Sequence, residues 1–99
     1  MGHDAVRVIA KVTARPETVE EVKALLRDLV VPTRAEKGCV SYEVCQSNTA
    51  PAQFVCIEAW ASASDVEAHM RTPHVRAAFA KAQSLLAAAP QIEDYSAVA

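Results

Sequence analysis

Apolar residues in this chain repeat at every second position in some stretches and at every third or fourth in others. The order in which these two periods alternate limits the fold more than any other feature. Residues 5–14, AVRVIAKVTA, set Val6, Val8, Ala10 and Val12 on one parity with Arg7, Lys11 and Thr13 between them, which predicts a strand. Ile9 interrupts the polar side, so both faces of this strand are expected to be partly buried. The period then changes. Val19, Val22, Leu25, Leu26, Leu29 and Val30 fall at spacings of three and four, one apolar stripe of a helix. Pro16 suits its first turn, Glu17, Glu20 and Glu21 suit the positive N-terminal end, and Gly38 suits the stop. Pro32 has no amide to donate to residue 28, so a kink or tightening is expected there before the helix runs on to about Glu36.

Residues 39–46 return to period two, with Val40, Tyr42 and Val44 set against Cys39, Ser41, Glu43 and Cys45. The SNTAPA segment is turn chemistry, and residues 53–60, QFVCIEAW, complete a hairpin. Phe54, Cys56, Glu58 and Trp60 share one face, where a carboxylate is costly unless it is paired or wet. Ser62 reads as an N-cap with Asp65 three residues on, and the helix it starts should end near Arg71, because Pro73 pushes Thr72 out of helical geometry. Pro73 then opens a second helix, PHVRAAFAKAQSLLAAA, with Val75, Phe79, Ala82 or Gln83, and Leu86 along one side and Pro90 as its end. The tail QIEDYSAV carries the weakest strand pattern of the four. Strand, helix, strand, strand, helix pair, strand is the ferredoxin-like α+β order: one antiparallel four-stranded sheet with helices on one face, here as a single domain over residues 1–99.

That topology leaves the other sheet face uncovered, and Val and Ile on both parities of the first and third strands argue against its facing water. Twenty of the 99 residues are alanine, which inflates the 52% hydrophobic fraction while burying little area. A second copy of the chain packed on the same sheet face, giving a two-fold homodimer, is the simplest completion of so small a core.

The formal charge of −2 and the scattering of ten Lys and Arg residues offer no footprint for nucleic acid. No apolar run is long enough to span a bilayer, and the opening MGHDAVRV has neither a basic leader nor an apolar stretch before a small-residue cleavage site, so a cytoplasmic location is expected. Cys39, Cys45 and Cys56 form no C-x-x-C pair and read as small core hydrophobes. With only Gly2 and Gly38 available, neither a dinucleotide loop nor a P-loop can be built.

Reactive residue types concentrate between Glu58 and His74. The plain reading makes Trp60 core, pairs Glu58 with an Arg or Lys, and leaves both histidines on helix surfaces. His69 and His74 are five apart, about 140° around a helix, with Pro73 between them, so they are not the pair of a zinc-binding helix and no metal is expected.

The segments PTRAEKGCVSYEV and FVCIEAWASASDVEAHMRTPHVRAAFAKA resemble the antibiotic biosynthesis monooxygenase (ABM) family, with Gly38, Cys39, Tyr42, Glu58, Trp60, His69, Pro73 and His74 in register and a match running from Val6 to Tyr95. The resemblance implies a ferredoxin-like domain dimerised through its sheets into a barrel, with a small-molecule pocket between sheet and helices. It further implies a quinol monooxygenase-like enzyme that oxidises quinols or polyketide-type phenols with molecular oxygen, using neither metal nor flavin. On this reading His69 is the preferred base, since an imidazole starts near a pKa of roughly 6.5. Glu58 is a candidate to orient it, and Tyr42 is a candidate phenol donor. Trp60, Phe54, Met70, Val75 and Phe79 are expected around the substrate, and His74 either there or in a packing or capping role. Glu36 and Arg34 are weaker candidates, and Arg7 and Lys11 read as solvent or dimer-edge charges.

Relatives that degrade haem carry an Asn on the first strand and a Trp and His on later helices. Here the strand has no Asn, His69 stands near the Trp position and Phe79 near the His position. A closer alternative is the branch that isomerises a phosphorylated autoinducer-2-like sugar, which shares the H-x-x-T-P-H arrangement of His69 to His74 and would need converging cations from Arg71, Arg76 or Lys81. A dimer that binds a small molecule without turning it over is the alternative from a different class.

Overall fold

A computed structural model describes residues 5–99. The reading of the N-terminus as free of a leader draws on residues 1–4, which lie outside the described residues. Strand β1 (Val6–Thr13) leads through a 3-10 turn (Pro16–Thr18) into α1 (Val19–Arg27) and α2 (Val30–Arg34). Strands β2 (Cys39–Gln46) and β3 (Gln53–Trp60) form the hairpin, followed by α3 (Ala63–Met70), α4 (Pro73–Ala82) and β4 (Gln91–Tyr95). The strands form one antiparallel sheet in the order β2-β3-β1-β4, the ferredoxin-like arrangement expected from the switching periods. None of the described helices is long and apolar enough to cross a membrane.

The buried parity of β1, Val6, Val8, Ala10 and Val12, lies beside Trp60, Glu58, Cys56 and Phe54 of β3 in register, and the helices cover this face. Val22 and Leu26 of α1, Ala82 of α4 and Leu86 close over Ala10, Val12, Tyr42, Phe54 and Cys56. A smaller cluster gathers Val6, Val8 and Trp60 with Cys39 and Val66. On the opposite face Ile9 and Val55 are half-buried and Ile57 is 40% exposed.

One local expectation is met, at Pro32, and two are corrected. The long first helix breaks at Asp28–Leu29, four residues before Pro32. With no Pro32 amide to receive, the Asp28 carbonyl loses its helical donor. The chain tightens there, so that the Leu29 amide reaches Leu26 O at 3.1 Å, and Thr33 N–H resumes the ladder on Leu29 O at 3.0 Å. The alternation of β2 is interrupted by a bulge: the register steps from Cys39↔Trp60 to Ser41↔Ala59, leaving Val40 unpaired and 67% exposed. Cys39 and Tyr42 therefore face the helices together, although sequence parity separates them. Finally, α4 stops at Ala82, well short of Pro90. Beyond it, Leu85 O accepts from Arg15 N–H at 3.1 Å and Ala87 N–H donates to Thr13 O at 2.9 Å, so bonding to the end of β1 overrides the helix propensity of the alanine run.

Candidate active site

Two turns and a helix joint bring the reactive residues together. His69 occupies the last turn of α3, whose start is capped by Ser62 accepting from the Asp65 amide. Thr72 joins α3 to α4: its hydroxyl donates to His69 O at 2.8 Å and accepts from Val75 N–H at 3.4 Å, while Pro73 takes the first helical position of α4. Thr72 itself has extended backbone geometry, which breaks the helix, and the two imidazoles on either side of it stand with ring centroids 6.2 Å apart. Across from them the turn after α2 presents Glu36. Gly38 has φ +86°, in the left-handed region, and a Cβ on it would overlap the Asp65 carboxyl group. Its carbonyl accepts from Ala61 N–H at 2.8 Å, which fixes the turn against the start of α3.

The result is a hydrogen-bonded trio. Glu36 Oε2 lies 2.7 Å from His69 Nδ1 and 2.7 Å from His74 Nε2, within the range of charge-assisted bonds. Because Nδ1 is engaged, Nε2 is the His69 nitrogen left for a ligand. The trio corrects two expectations. Glu36, not Glu58, holds His69. The five-residue spacing does not keep the two histidines apart, since the joint at Thr72 breaks the helical geometry on which that reasoning rested. Their donor atoms and the Glu36 oxygen lie within 4.8 Å of one another, a grouping of two imidazoles and a carboxylate that is also able to take a divalent ion.

Glu58 sits in the middle of the sheet between Tyr42 and Val8, and its Oε1 accepts from Trp60 Nε1 at 2.9 Å, so its partner is an indole and not an Arg or Lys. Burial raises the pKa of its carboxyl group; the Trp60 bond and the nearby His69 oppose the shift, and Glu36 adds to it. Burial also pushes the Tyr42 phenol well above its ordinary range, so the hydroxyl stays protonated. That hydroxyl donates to Cys56 Sγ at 3.7 Å, and burial pushes the Cys56 thiol up to about 11. The Trp60 and His69 rings are 4.6 Å apart, and those of Tyr42 and His69 are 6.0 Å apart.

Between the sheet and the helices lies a partly open cavity of about 700 Å³, large enough for a polycyclic or substituted aromatic molecule. Tyr42, Glu58 and His69 line it, with Met70, Val75 and Phe79 from α3 and α4 among its apolar walls. Trp60, Phe54 and His74 do not line it. Trp60 is packed behind Glu58, Phe54 borders a separate hollow near the hairpin, and His74 stands behind Glu36. Arg34 donates to Tyr42 O at 3.0 Å and so ties α2 to β2, while Arg7 and Lys11 are exposed. Sequence reasoning undervalued Glu36, whose only signal was its place beside the turn glycine. It also read Cys56 only as core, without its contact to Tyr42.

A family model described as antibiotic biosynthesis monooxygenase matches residues 5–81. The chain is 36% identical over 81 residues to the "Probable quinol monooxygenase YgiN" of Escherichia coli, a match covering 71% of this chain and 77% of that one. It is 29% identical over 92 residues to the protein sll1783 of Synechocystis sp., covering 93% of this chain but spanning only 63% of that relative's length. Among solved structures, PA3566 of Pseudomonas aeruginosa superposes with a TM-score of 0.92 at 30% identity, covering 100% of this chain and 99% of that one. With the family model matched over residues 5–81 and a 36% identical relative covering 71% of its length, this chain belongs to the antibiotic biosynthesis monooxygenase family.

Proposed function

We propose that the protein is a cofactor-independent monooxygenase that oxidises a quinol or polyketide-type phenol with molecular oxygen and works as a homodimer. One observation carries this reading: an imidazole, His69, lines an otherwise largely apolar cavity with its Nδ1 held by the half-buried Glu36 carboxylate and its Nε2 free to act. His69 takes the hydroxyl proton of the substrate, and the electron-rich anion passes an electron to oxygen. Recombination forms a carbon–oxygen bond. Cleavage of the O–O bond then leaves one oxygen atom on the substrate as a carbonyl, and the other leaves as water with the two hydrogens the substrate has lost. The redox equivalents come from the substrate, and the protein supplies a dry cavity, a base and hydrogen-bond donors. Tyr42, protonated throughout the working range, lines the cavity with its ring 6.0 Å from that of His69 and is the candidate donor on the sheet.

The cavity argues against a phosphorylated sugar. Among the described residues no Lys or Arg lines it, whereas Glu58, Glu93 and Asp94 do, and a phosphate would meet acid instead of converging cations. The apolar Ile9, Val55 and Ile57 on the outer sheet face support the homodimer.

The test is oxygen uptake by purified protein, checked for metal and flavin, with a panel of quinols and anthrones. Consumption well above the buffer rate, lost in His69→Ala, is the expected result. Turnover without oxygen uptake assigns an isomerase. Binding without turnover assigns a non-catalytic module.

A further inference from the structure

Glu36 and His74 have no part in the chemistry described so far, because neither lines the cavity. Among the described residues no Lys or Arg pairs with Glu36 or with the buried Glu58, and the two imidazoles are the only ion-pair partners Glu36 has. Arg34, two residues before Glu36, donates to Tyr42 O instead. Two carboxylates thus stand in a largely buried region with no Lys or Arg paired to them, an arrangement that is costly unless positive charge is brought in. We propose that Glu36 Oε2, His69 Nδ1 and His74 Nε2 form a binding site for Zn²⁺ or a divalent ion of like preference, and that the bound ion withdraws His69 from use as a base. The site stands on its own geometry, and its effect on turnover rests on the monooxygenase reading above.

The donor set decides the class of ion. Two imidazole nitrogens and one carboxylate oxygen suit Zn²⁺ and its neighbours over Mg²⁺ or Ca²⁺, which take oxygen ligands. Three protein ligands leave the fourth position to water. Atoms about 2.0–2.2 Å from one ion lie about 3–3.5 Å from each other, so Glu36 must draw back from its present 2.7 Å contacts by about half an ångström. The two outer ligands are the ones with room to move. Side-chain exposure rises from 6% at His69 through 13% at Glu36 to 24% at His74, which also marks the ion's path in from solvent. His69 stays against Trp60, with the ring centroids 4.6 Å apart. Because Glu36 and His74 stand outside the cavity wall, the ion does not reach the substrate, and its effect passes through the His69 ring. A neutral imidazole carries one N–H, and once Nδ1 is on the ion that hydrogen sits on Nε2. Nε2 then faces the cavity as a donor, with no lone pair for the substrate's hydroxyl proton.

The test is a Zn²⁺ titration of the full chain, first stripped with chelator, followed by calorimetry and histidine ¹⁵N NMR. It compares wild type with Glu36→Gln, His74→Gln and His3→Gln, the last removing the one histidine outside the trio. The expected result is one ion per chain, with the ring signals of both His69 and His74 shifted. Affinity should be at least about a hundredfold weaker in Glu36→Gln and His74→Gln and unchanged in His3→Gln. Should Glu36→Gln fail to fold, His74→Gln at the exposed end of the trio decides alone. The site is overturned if His74→Gln binds as tightly as wild type, or if no binding tighter than about 1 mM is seen, since the bonds would then only pin the turn to the helices. A Co²⁺ complex with a thiolate charge-transfer band overturns it as well, because a cysteine would then hold the ion. With a phenol that supports oxygen uptake, saturating Zn²⁺ should lower the rate at least about tenfold and chelator should restore it. An unchanged rate overturns the effect on His69, and a stimulated one overturns both that effect and the cofactor-independent reading. The titration needs no substrate, so a zinc site with no oxygen uptake for any phenol counts against the monooxygenase reading alone.

Discussion

Trp60 and Glu58, two residues apart on the same face of β3, are joined by an indole N–H to carboxylate bond of 2.9 Å, and both side chains are buried. The bond satisfies the one polar atom of the largest fully buried side chain and gives a buried carboxylate its only hydrogen-bond donor among the described residues. It also fixes the Glu58 side chain as part of the cavity wall.

Replacing Trp60 with Phe keeps most of the packing and deletes the donor. The expected cost is about 1.5–3 kcal/mol at neutral pH, the range for losing a hydrogen bond to a charged group. Urea denaturation of Trp60→Phe measures it. The loss should shrink in acid, where Glu58 is protonated and no longer presents a bare charge.

Glu58→Gln retains an oxygen to accept from Trp60 and removes the charge. Because burial raises the carboxyl pKa above its unfolded value, the native state binds more protons than the unfolded chain between the two values, and stability falls as pH rises through that window. The full penalty applies above the folded pKa. The variant should therefore be more stable than wild type at pH about 8 and equal to it near pH about 3.5, below the ordinary carboxylate range. Parallel denaturation curves at the two pH values decide this.

Gly38→Ala should be among the costliest single changes in the chain. The left-handed backbone alone costs about 1–2 kcal/mol with a side chain present, and the new Cβ would also meet the Asp65 carboxyl group. In a double-mutant cycle, Asp65→Ala should recover the steric part and leave the backbone part. Additivity of the two single changes would refute the contact.

Ala78→Phe places a ring in the cavity from α4. On the monooxygenase reading KM should rise at least about tenfold, one unit of log affinity or about 1.4 kcal/mol, with thermal stability unchanged or higher. An unchanged KM would locate the substrate elsewhere.

Ile57→Lys puts a charge at the centre of the outer sheet face. If two copies pack there, the variant should sediment as a monomer where the wild type sediments as a dimer. A monomeric wild type at micromolar concentration would remove the homodimer from the proposal.

Local rules made much of the fold legible. Ser62 and the Thr72–Pro73 step gave the helix starts, and alternation placed β1 and β3 with the correct faces inward. The failures have nonlocal causes. The bulge at Val40 depends on pairing with β3, and the end of α4 depends on the edge of β1. The tightening ahead of Pro32 was legible, since its missing amide leaves the carbonyl four residues earlier without a donor. In the site, His69 was readable as a cavity imidazole, yet its partner was not, because Glu36 is 33 residues away and meets it only through the Gly38 turn. Sequence proximity points from His69 to Glu58, whose donor is instead the indole two positions along.

The bulge in β2 has a consequence for how the protein behaves in a crowded cell. β2 and β4 are the two outer strands, and a flat free edge invites another chain to add a strand. The unpaired Val40 distorts one edge, and the adjacent carboxylates Glu93 and Asp94 place charge on the other. Sideways growth into ribbons or fibrils is therefore discouraged at both ends of the sheet.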